Sequence, residues 1–135
     1  MSLARSEIAE QPAAVARVLE DAEGAIAVET TVVARPTPDR VILAAGSKAL
    51  SPERIRDGGA FGLVRGQRDL HVERLYEERA ICRAEGGSEL GVGDRVEVVP
   101  AHACTCANLH AAYAVRLAAG GWERWPVVAR GWGGG

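Results

Sequence analysis

The sequence lacks the features that would assign it to several large functional classes. No apolar run approaches the roughly 20 residues that are needed to cross a bilayer, and the first residues lack the basic-then-apolar order of a signal peptide. The 16 basic and 18 acidic residues give a formal net charge of -2, so no basic excess attracts nucleic acid or an anionic membrane. We therefore expect a cytoplasmic protein that binds neither nucleic acid nor a membrane.

Cysteine and lysine are also scarce. The three cysteines are too few, and odd in number, for a disulfide framework, so in a reducing compartment they are thiols or metal ligands. Lys48 is the only lysine, and the other basic residues are all arginine. With 135 residues, the chain can form one hydrophobic core but is too short for a nucleotide-binding domain together with a substrate domain.

The β-branched runs after Gly24 predict a mainly β fold, a small barrel or sandwich. The clearest strand pattern lies just before Pro100, where Val96 and Val98 point to one side and Arg95 and Glu97 to the other. Short strands separated by turn residues are predicted in AIAVETTVVA, DRVILAAG, FGLVRG, DLHVERLY, RAICRAE, LGVGDRVEVVP and WERWPVVARG.

Three regions follow from these patterns. Apolar residues at helical spacing within residues 6–21 predict a helix that begins near Pro12, so residues 1–24 are interpreted as an N-terminal helical leader. Residues 25–131 are predicted to form the β domain. Residues 132–135, which are rich in glycine, are predicted to be a disordered tail.

Two histidines and two cysteines lie close together in VVPAHACTCANLH, residues 98–110. If the preceding strand continues past Pro100, His102 and Cys104 project from one face and can bind one ion at roughly 2.1 and 2.3 Å. An imidazole beside a thiolate favours zinc over magnesium or calcium. The pair leaves open positions for water or substrate, as a catalytic metal requires.

Other interpretations of this cluster remain open. Cys106 or His110 as a further ligand would give a structural zinc site. The cysteines could equally be buried side chains and His102 a surface residue, because H-x-C is a weak pattern. A redox site is disfavoured, since C-x-C is not the C-x-x-C of thioredoxin-type proteins. Cys82, which alternates with apolar residues, is predicted to be core.

Five segments, in this order, resemble the C-terminal β domain of the D-serine dehydratase and D-threonine aldolase family. They are AAGSKALS (44–51), FGLV (61–64), VERLYEER (72–79), LGVGDRVEVVPAHACTCANLH (90–110) and WPVVARG (125–131). The resemblance implies that His102 and Cys104 bind a divalent metal, with zinc as the metal associated with the cysteine form. It also implies pyridoxal phosphate, which an N-terminal barrel carries on a lysine.

The sequence also departs from the family. No barrel precedes the β domain, and Lys48 belongs to the β domain in the family, where it is not the cofactor-bearing residue. Ala101 replaces an asparagine beside the metal-binding histidine, and Arg79 replaces a histidine. No cofactor-binding residue is therefore predicted, and the lysine and phosphate site would come from a separate barrel.

We expect a metal-binding accessory domain or fragment of a pyridoxal phosphate-dependent D-hydroxyamino-acid dehydratase or aldolase, not catalytic alone. Its partner would be a separate barrel chain or a second copy, and a D-hydroxyamino acid would bind only in the complete enzyme. The alternative is a degenerate interaction or dimerisation domain without a functional metal, in which Trp122, Trp125 and Trp132 act as apolar anchors.

Overall fold

The protein is a β-barrel. The computed structural model describes residues 16–18, 26–55 and 59–131. Within these ranges the helices are α1 (Ser47–Leu50) and α2 (Ala103–Ala107), and neither has the length and apolar character to cross a membrane. The strands are β1 (Ala16–Val18), β2 (Ile26–Thr37), β3 (Arg40–Leu43), β4 (Gly62–Val64), β5 (Leu70–Leu75), β6 (Ala80–Ala84), β7 (Arg95–Pro100), β8 (Ala112–Arg116) and β9 (Trp122–Pro126). The predicted mainly β fold is confirmed.

Six strands close the barrel in the order β2, β3, β6, β5, β4, β7, after which β7 pairs with β2 again. All of these neighbours are antiparallel. Closure is achieved by β2, whose residues 28–31 pair with β7 and residues 32–37 with β3. Strands β1, β8 and β9 extend the sheet outside the barrel, with β1 between β2 and β8.

The barrel interior is filled by aliphatic side chains that alternate along the strands. On β7, Val96 and Val98 are buried while Arg95 is exposed, as the period of two predicts. Cys82 is fully buried on β6, which confirms that it belongs to the core. The largest fully buried side chains are Leu43, Leu50, Leu70, Val28, Val32, Val41, Val72 and Val98.

Two predictions about local structure are wrong. Ala16–Val18 form β1 instead of a helix, because pairing with β2 and β8 outweighs a helical spacing pattern. The chain leaves the sheet after Pro100, which has no N–H to extend the ladder, and turns into α2. The rest of the predicted N-terminal helix, the boundary at residue 24 and the tail 132–135 lie outside the described residues, so the domain division stays a prediction.

Gly46 lets α1 lie directly against the loop between β5 and β6. The backbone N–H groups of Ser47 and Lys48 donate to the carbonyls of Tyr76 and Glu77, at 2.8 and 3.2 Å. A Cβ at position 46 would collide with both of those carbonyl oxygens and would lie 2.5 Å from the backbone nitrogen of Arg79. Only glycine therefore permits this approach.

The contact between α1 and α2 is centred on the carbonyl oxygen of Ala49. The thiol of Cys106 donates to it at 3.2 Å, and Nε2 of His110 donates to it at 2.8 Å. Burial raises the pKa of Cys106 to about 12, so this group stays a neutral thiol. Burial also lowers the pKa of His110, and the charge of Arg130 acts in the same direction, while the bond to Ala49 opposes them. Two neutral side chains thus anchor α1 to the segment that begins at α2.

We expect the Gly46→Ala variant to be less stable than the parent by about 1–3 kcal/mol, the usual cost of adding atoms to a packed site. The new methyl group would meet backbone atoms, which cannot rotate away. Urea unfolding followed by circular dichroism measures the loss. Gly91→Ala is the matched control, because an added Cβ there would meet only the Asp94 carboxylate, at 3.9 Å. Equal losses in the two variants would contradict the close approach at Gly46.

Stability should fall as the pH drops below the ordinary histidine pKa of about 6.5. In that range the unfolded chain binds a proton at His110, whereas the folded chain, with its lowered pKa, does not. The free energy of unfolding therefore decreases by at most about 1.4 kcal/mol per pH unit from this group. Above that range His110 is neutral in both states and adds no pH dependence.

Urea unfolding across the pH range measures this effect. His110→Gln keeps a donor for the Ala49 carbonyl but cannot titrate, so its profile should be flatter than that of the parent. His71→Gln retains His110 and is the control. A His110→Gln variant with the same pH profile as the parent would rule out His110 as the source.

Candidate functional site

His102 and Cys104 lie at the end of the barrel where β7 passes into α2. His102 directly precedes α2 with an extended backbone, φ -137° and ψ 110°, and Cys104 is the second residue of the helix. The His102 side chain is 47% exposed, and Cys104 is exposed as well. The strand geometry from which this pair was predicted is therefore wrong, although both side chains reach the surface. The interpretation of Cys104 as a buried residue is also wrong.

A carboxylate that the sequence did not single out contacts His102. Oε2 of Glu53 lies 2.5 Å from Nδ1 of the imidazole. Glu53 belongs to the loop after α1 and is 49 residues away in the chain, so no local spacing pattern relates the two residues. Because the carboxylate occupies the Nδ1 side of the ring, Nε2 is the nitrogen that remains to meet another partner.

The Glu53 loop is fixed to α2 through Ser51. Ser51 is buried and has a positive φ of 66°, a backbone conformation that is rare for residues other than glycine. Its hydroxyl lies 3.1 Å from that of Thr105, and the Thr105 hydroxyl donates to the carbonyl of His102 at 3.3 Å. These contacts hold the loop that carries Glu53 next to His102.

Cys106 and His110 do not extend the candidate metal pair. Both are buried and directed at the Ala49 carbonyl, with Sγ and Nε2 4.0 Å apart. Among the residues that the structure describes, no three His, Cys, Asp or Glu side chains are grouped so that they could hold an ion. The alternative of a structural zinc site completed by Cys106 or His110 is therefore wrong.

The chemistry of the exposed pair fits zinc with open coordination positions. Imidazole nitrogen and thiolate sulfur are both common zinc ligands, and zinc is usually four-coordinate. Two ligands from His102 and Cys104 would leave positions for water, a substrate or a group from another protein. The donor set therefore fits an open metal site and does not fit a closed structural one.

Lys48 does not fit the role of a lysine that carries pyridoxal phosphate. Its Nζ lies 2.8 Å from the carboxylate of Glu78 and 3.6 Å from that of Glu77, on an exposed surface. The hydrogen bond and the charge of Glu78 raise the pKa of Lys48, whereas a Schiff base requires the neutral amine. Because Lys48 is the only lysine of the 135 residues, this stretch of sequence offers no group that fits covalent attachment of the cofactor.

Two cavities are separate from this site. One, of about 340 Å³, is lined by charged residues of β2 and β7 together with Arg65, and the other, of about 550 Å³, by residues 63–68 and Val99. In the first cavity the arginines are already paired with acidic groups: Arg95 with Glu29 at 2.9 Å and Arg65 with Glu97 at 3.4 Å. Neither cavity is lined by His102, Cys104 or Glu53.

Comparison with known proteins finds relatives of this chain among uncharacterised mycobacterial proteins and D-threonine aldolases. Residues 25–116 match the family described as "Putative serine dehydratase domain". An uncharacterised protein of Mycobacterium tuberculosis is 34% identical over an alignment of 115 residues that covers 82% of this chain and 86% of that protein. A D-threonine aldolase of an Arthrobacter species is 30% identical over 110 residues, 81% of this chain but 28% of the aldolase.

Solved structures agree with the sequence comparison. The D-threonine aldolase from Filomicrobium marinum superposes with a TM-score of 0.67 at 32% identity, over 82% of this chain and 29% of the aldolase. The D-threo-3-hydroxyaspartate dehydratase from Delftia sp. HT23 superposes with a TM-score of 0.62 at 23% identity, which shows a shared fold. This chain thus spans less than a third of these enzymes and most of the mycobacterial protein. The resemblance that the sequence indicated is confirmed, and the chain belongs to the serine dehydratase domain family.

Proposed function

We propose that this domain binds a divalent metal, zinc in particular, through His102 and Cys104, as the metal-binding part of a D-hydroxyamino-acid dehydratase or aldolase. The observation that carries the proposal is an exposed imidazole and an exposed thiol two residues apart at one end of the barrel. A metal that must reach a substrate needs ligands at the surface, whereas the ligands of a structural ion are enclosed.

A related dehydratase supports the choice of these two residues. The solved structures of D-threo-3-hydroxyaspartate dehydratase include a histidine-to-alanine mutant and a cysteine-to-alanine mutant, the second in the metal-free form. The two mutated positions are two residues apart in that enzyme. His102 and Cys104 have the same residue types and the same spacing.

The rest of the active site would come from outside these 135 residues. Lys48 does not fit the cofactor lysine, and the matching D-threonine aldolases are more than three times as long as the part that this chain covers. When bound, the metal would supply Lewis acidity toward a substrate hydroxyl. His102 and Cys104 would hold one side of the ion, and a separate barrel chain, or a second copy acting with one, would present the cofactor and the D-hydroxyamino acid. The domain alone is then not catalytic.

The purified protein should bind about one equivalent of zinc, and this binding should be lost in His102→Ala and in Cys104→Ala. Each substitution removes one of only two ligands that the chain supplies, so the remaining ligand binds weakly. Elemental analysis and isothermal titration calorimetry measure the stoichiometry and the affinity.

His71→Ala is the matched control, because it removes a histidine on β5, which lies outside the site. Cys106→Ala should also retain zinc, since its thiol points to the Ala49 carbonyl. Equal zinc content in the parent, His102→Ala and Cys104→Ala would refute the proposed metal site.

Exposed apolar residues near the C-terminus favour a second candidate, an interaction domain that needs no metal. Trp125 on β9 is 49% exposed, and Val128 just beyond it is 79% exposed. Trp125 lies on the extension formed by β8 and β9, outside the closed barrel, and Val128 follows the end of β9. A large exposed aromatic side chain of this kind is typical of a contact surface.

If this second function applies, the metal-free protein should be a dimer that Trp125→Glu converts to a monomer. Placing a charge in a contact surface leaves that charge desolvated and costs several kcal/mol of association. Sedimentation velocity over a range of protein concentrations measures the oligomeric state. Arg116→Glu on the neighbouring strand β8 is the comparison variant, because it also introduces a negative charge. A parent protein that remains monomeric while it binds zinc would exclude this candidate in favour of the metal-binding one.

A further inference from the structure

We propose that Glu53 is a positioning residue, which fixes the tautomer and the orientation of the His102 ring so that Nε2 is presented to a ligand. This inference rests on the proposed metal function for its purpose. Its geometric part concerns Glu53 and His102 alone and can be measured on the metal-free protein.

The contact itself specifies where the imidazole proton lies. A carboxylate accepts hydrogen bonds, so Oε2 of Glu53 at 2.5 Å from Nδ1 requires the proton on Nδ1. The lone pair of a neutral ring is then on Nε2, at the far side of the imidazole from Glu53. Without the carboxylate, the proton can occupy either nitrogen and the ring can rotate.

Hydrogen bonds at two residues, Ala49 and Ser51, hold Glu53 in reach of His102. The Ala49 carbonyl, at the start of the segment that carries Glu53, accepts hydrogen bonds from Cys106 and His110. Two residues further along, the hydroxyl of Ser51 contacts that of Thr105. The segment before Glu53 and the segment after His102 are therefore joined, so the approach of Glu53 is built into the packing.

Stability does not account for the pair. The two side chains are 47% and 44% exposed, and ion pairs at such positions contribute between about 0 and 1 kcal/mol to folding. A metal-binding histidine, in contrast, almost always donates its second ring N–H to a carboxylate, a carbonyl or water, and losing that partner weakens metal binding by about 10- to 100-fold. The arrangement of Glu53 and His102 matches this second role.

The first measurement is the protonation of the His102 ring in the metal-free parent, by nitrogen-15 NMR of the imidazole at a pH where it is neutral. We expect the proton on Nδ1 in the parent and in Glu53→Gln, whose amide oxygen can still accept. In Glu53→Ala we expect a mixture of the two tautomers. Protonation of Nε2 in the parent, or an identical spectrum in Glu53→Ala, would overturn the proposal.

The second measurement is zinc affinity by calorimetry. Glu53→Ala should bind zinc about 10- to 100-fold more weakly than the parent, and Glu53→Gln should recover part of the loss. Glu89→Ala, which removes an equal charge at an exposed position outside the site, should bind as the parent does. Urea unfolding should give the same stability for all of these variants, which separates positioning from folding. Equal zinc affinity in Glu53→Ala and Glu89→Ala would overturn the positioning role.

The two proposals fail in different ways. If His102→Ala binds zinc as tightly as the parent, the metal site is refuted and with it the purpose assigned to Glu53, whatever the ring tautomer. If His102→Ala loses zinc but Glu53→Ala does not, the metal site stands and the positioning role is wrong.

Discussion

The closure of the barrel through β2 is the constraint on which the site depends. β2 pairs with β7 along residues 28–31 and with β3 along residues 32–37, and it is antiparallel to both. β3 and β7 therefore run in the same direction and end at the same rim of the barrel. α1 follows β3 and α2 follows β7, so residues that are 49 positions apart, Glu53 and His102, come together there. The directions of β3 and β7 therefore bring the two residues to the same rim, and their side-chain contact depends on this placement.

The strands of the barrel were predictable because their signal is local. Alternating burial on β7 follows directly from the alternation of valine with charged residues, and the mainly β class follows from several such runs. The segment after Pro100 was not predictable in the same way, because α2 has five residues, too few for a helical period to emerge. His102 and Cys104 were identified by residue type and by resemblance. Glu53 was not, since only the closed barrel relates it to His102.

The two histidines that flank α2 occupy opposite environments. His110 is buried with Cys106 against the Ala49 carbonyl, where burial keeps both groups neutral, and their hydrogen bonds hold α1 in place. His102 is half exposed, and the carboxylate of Glu53 contacts Nδ1 of its ring. One histidine thus serves the packing of the rim, and the other is available for a ligand. A sequence pattern that treats the four residues of the His/Cys cluster alike cannot make this distinction, because burial here depends on packing against α1, which is distant in the sequence.

This separation also explains how the same barrel can belong to proteins of very different length. The fold is stabilised by a closed sheet and an aliphatic interior, neither of which uses His102, Cys104 or Glu53. An ion at the rim would therefore add little to the stability of the domain, and its remaining coordination positions would face outward. This chain aligns with most of the mycobacterial protein but with less than a third of the aldolases, which is the pattern expected of a domain whose fold is self-sufficient. If His102 and Cys104 bind an ion as proposed, its remaining coordination positions would be open to a group that approaches the rim from outside.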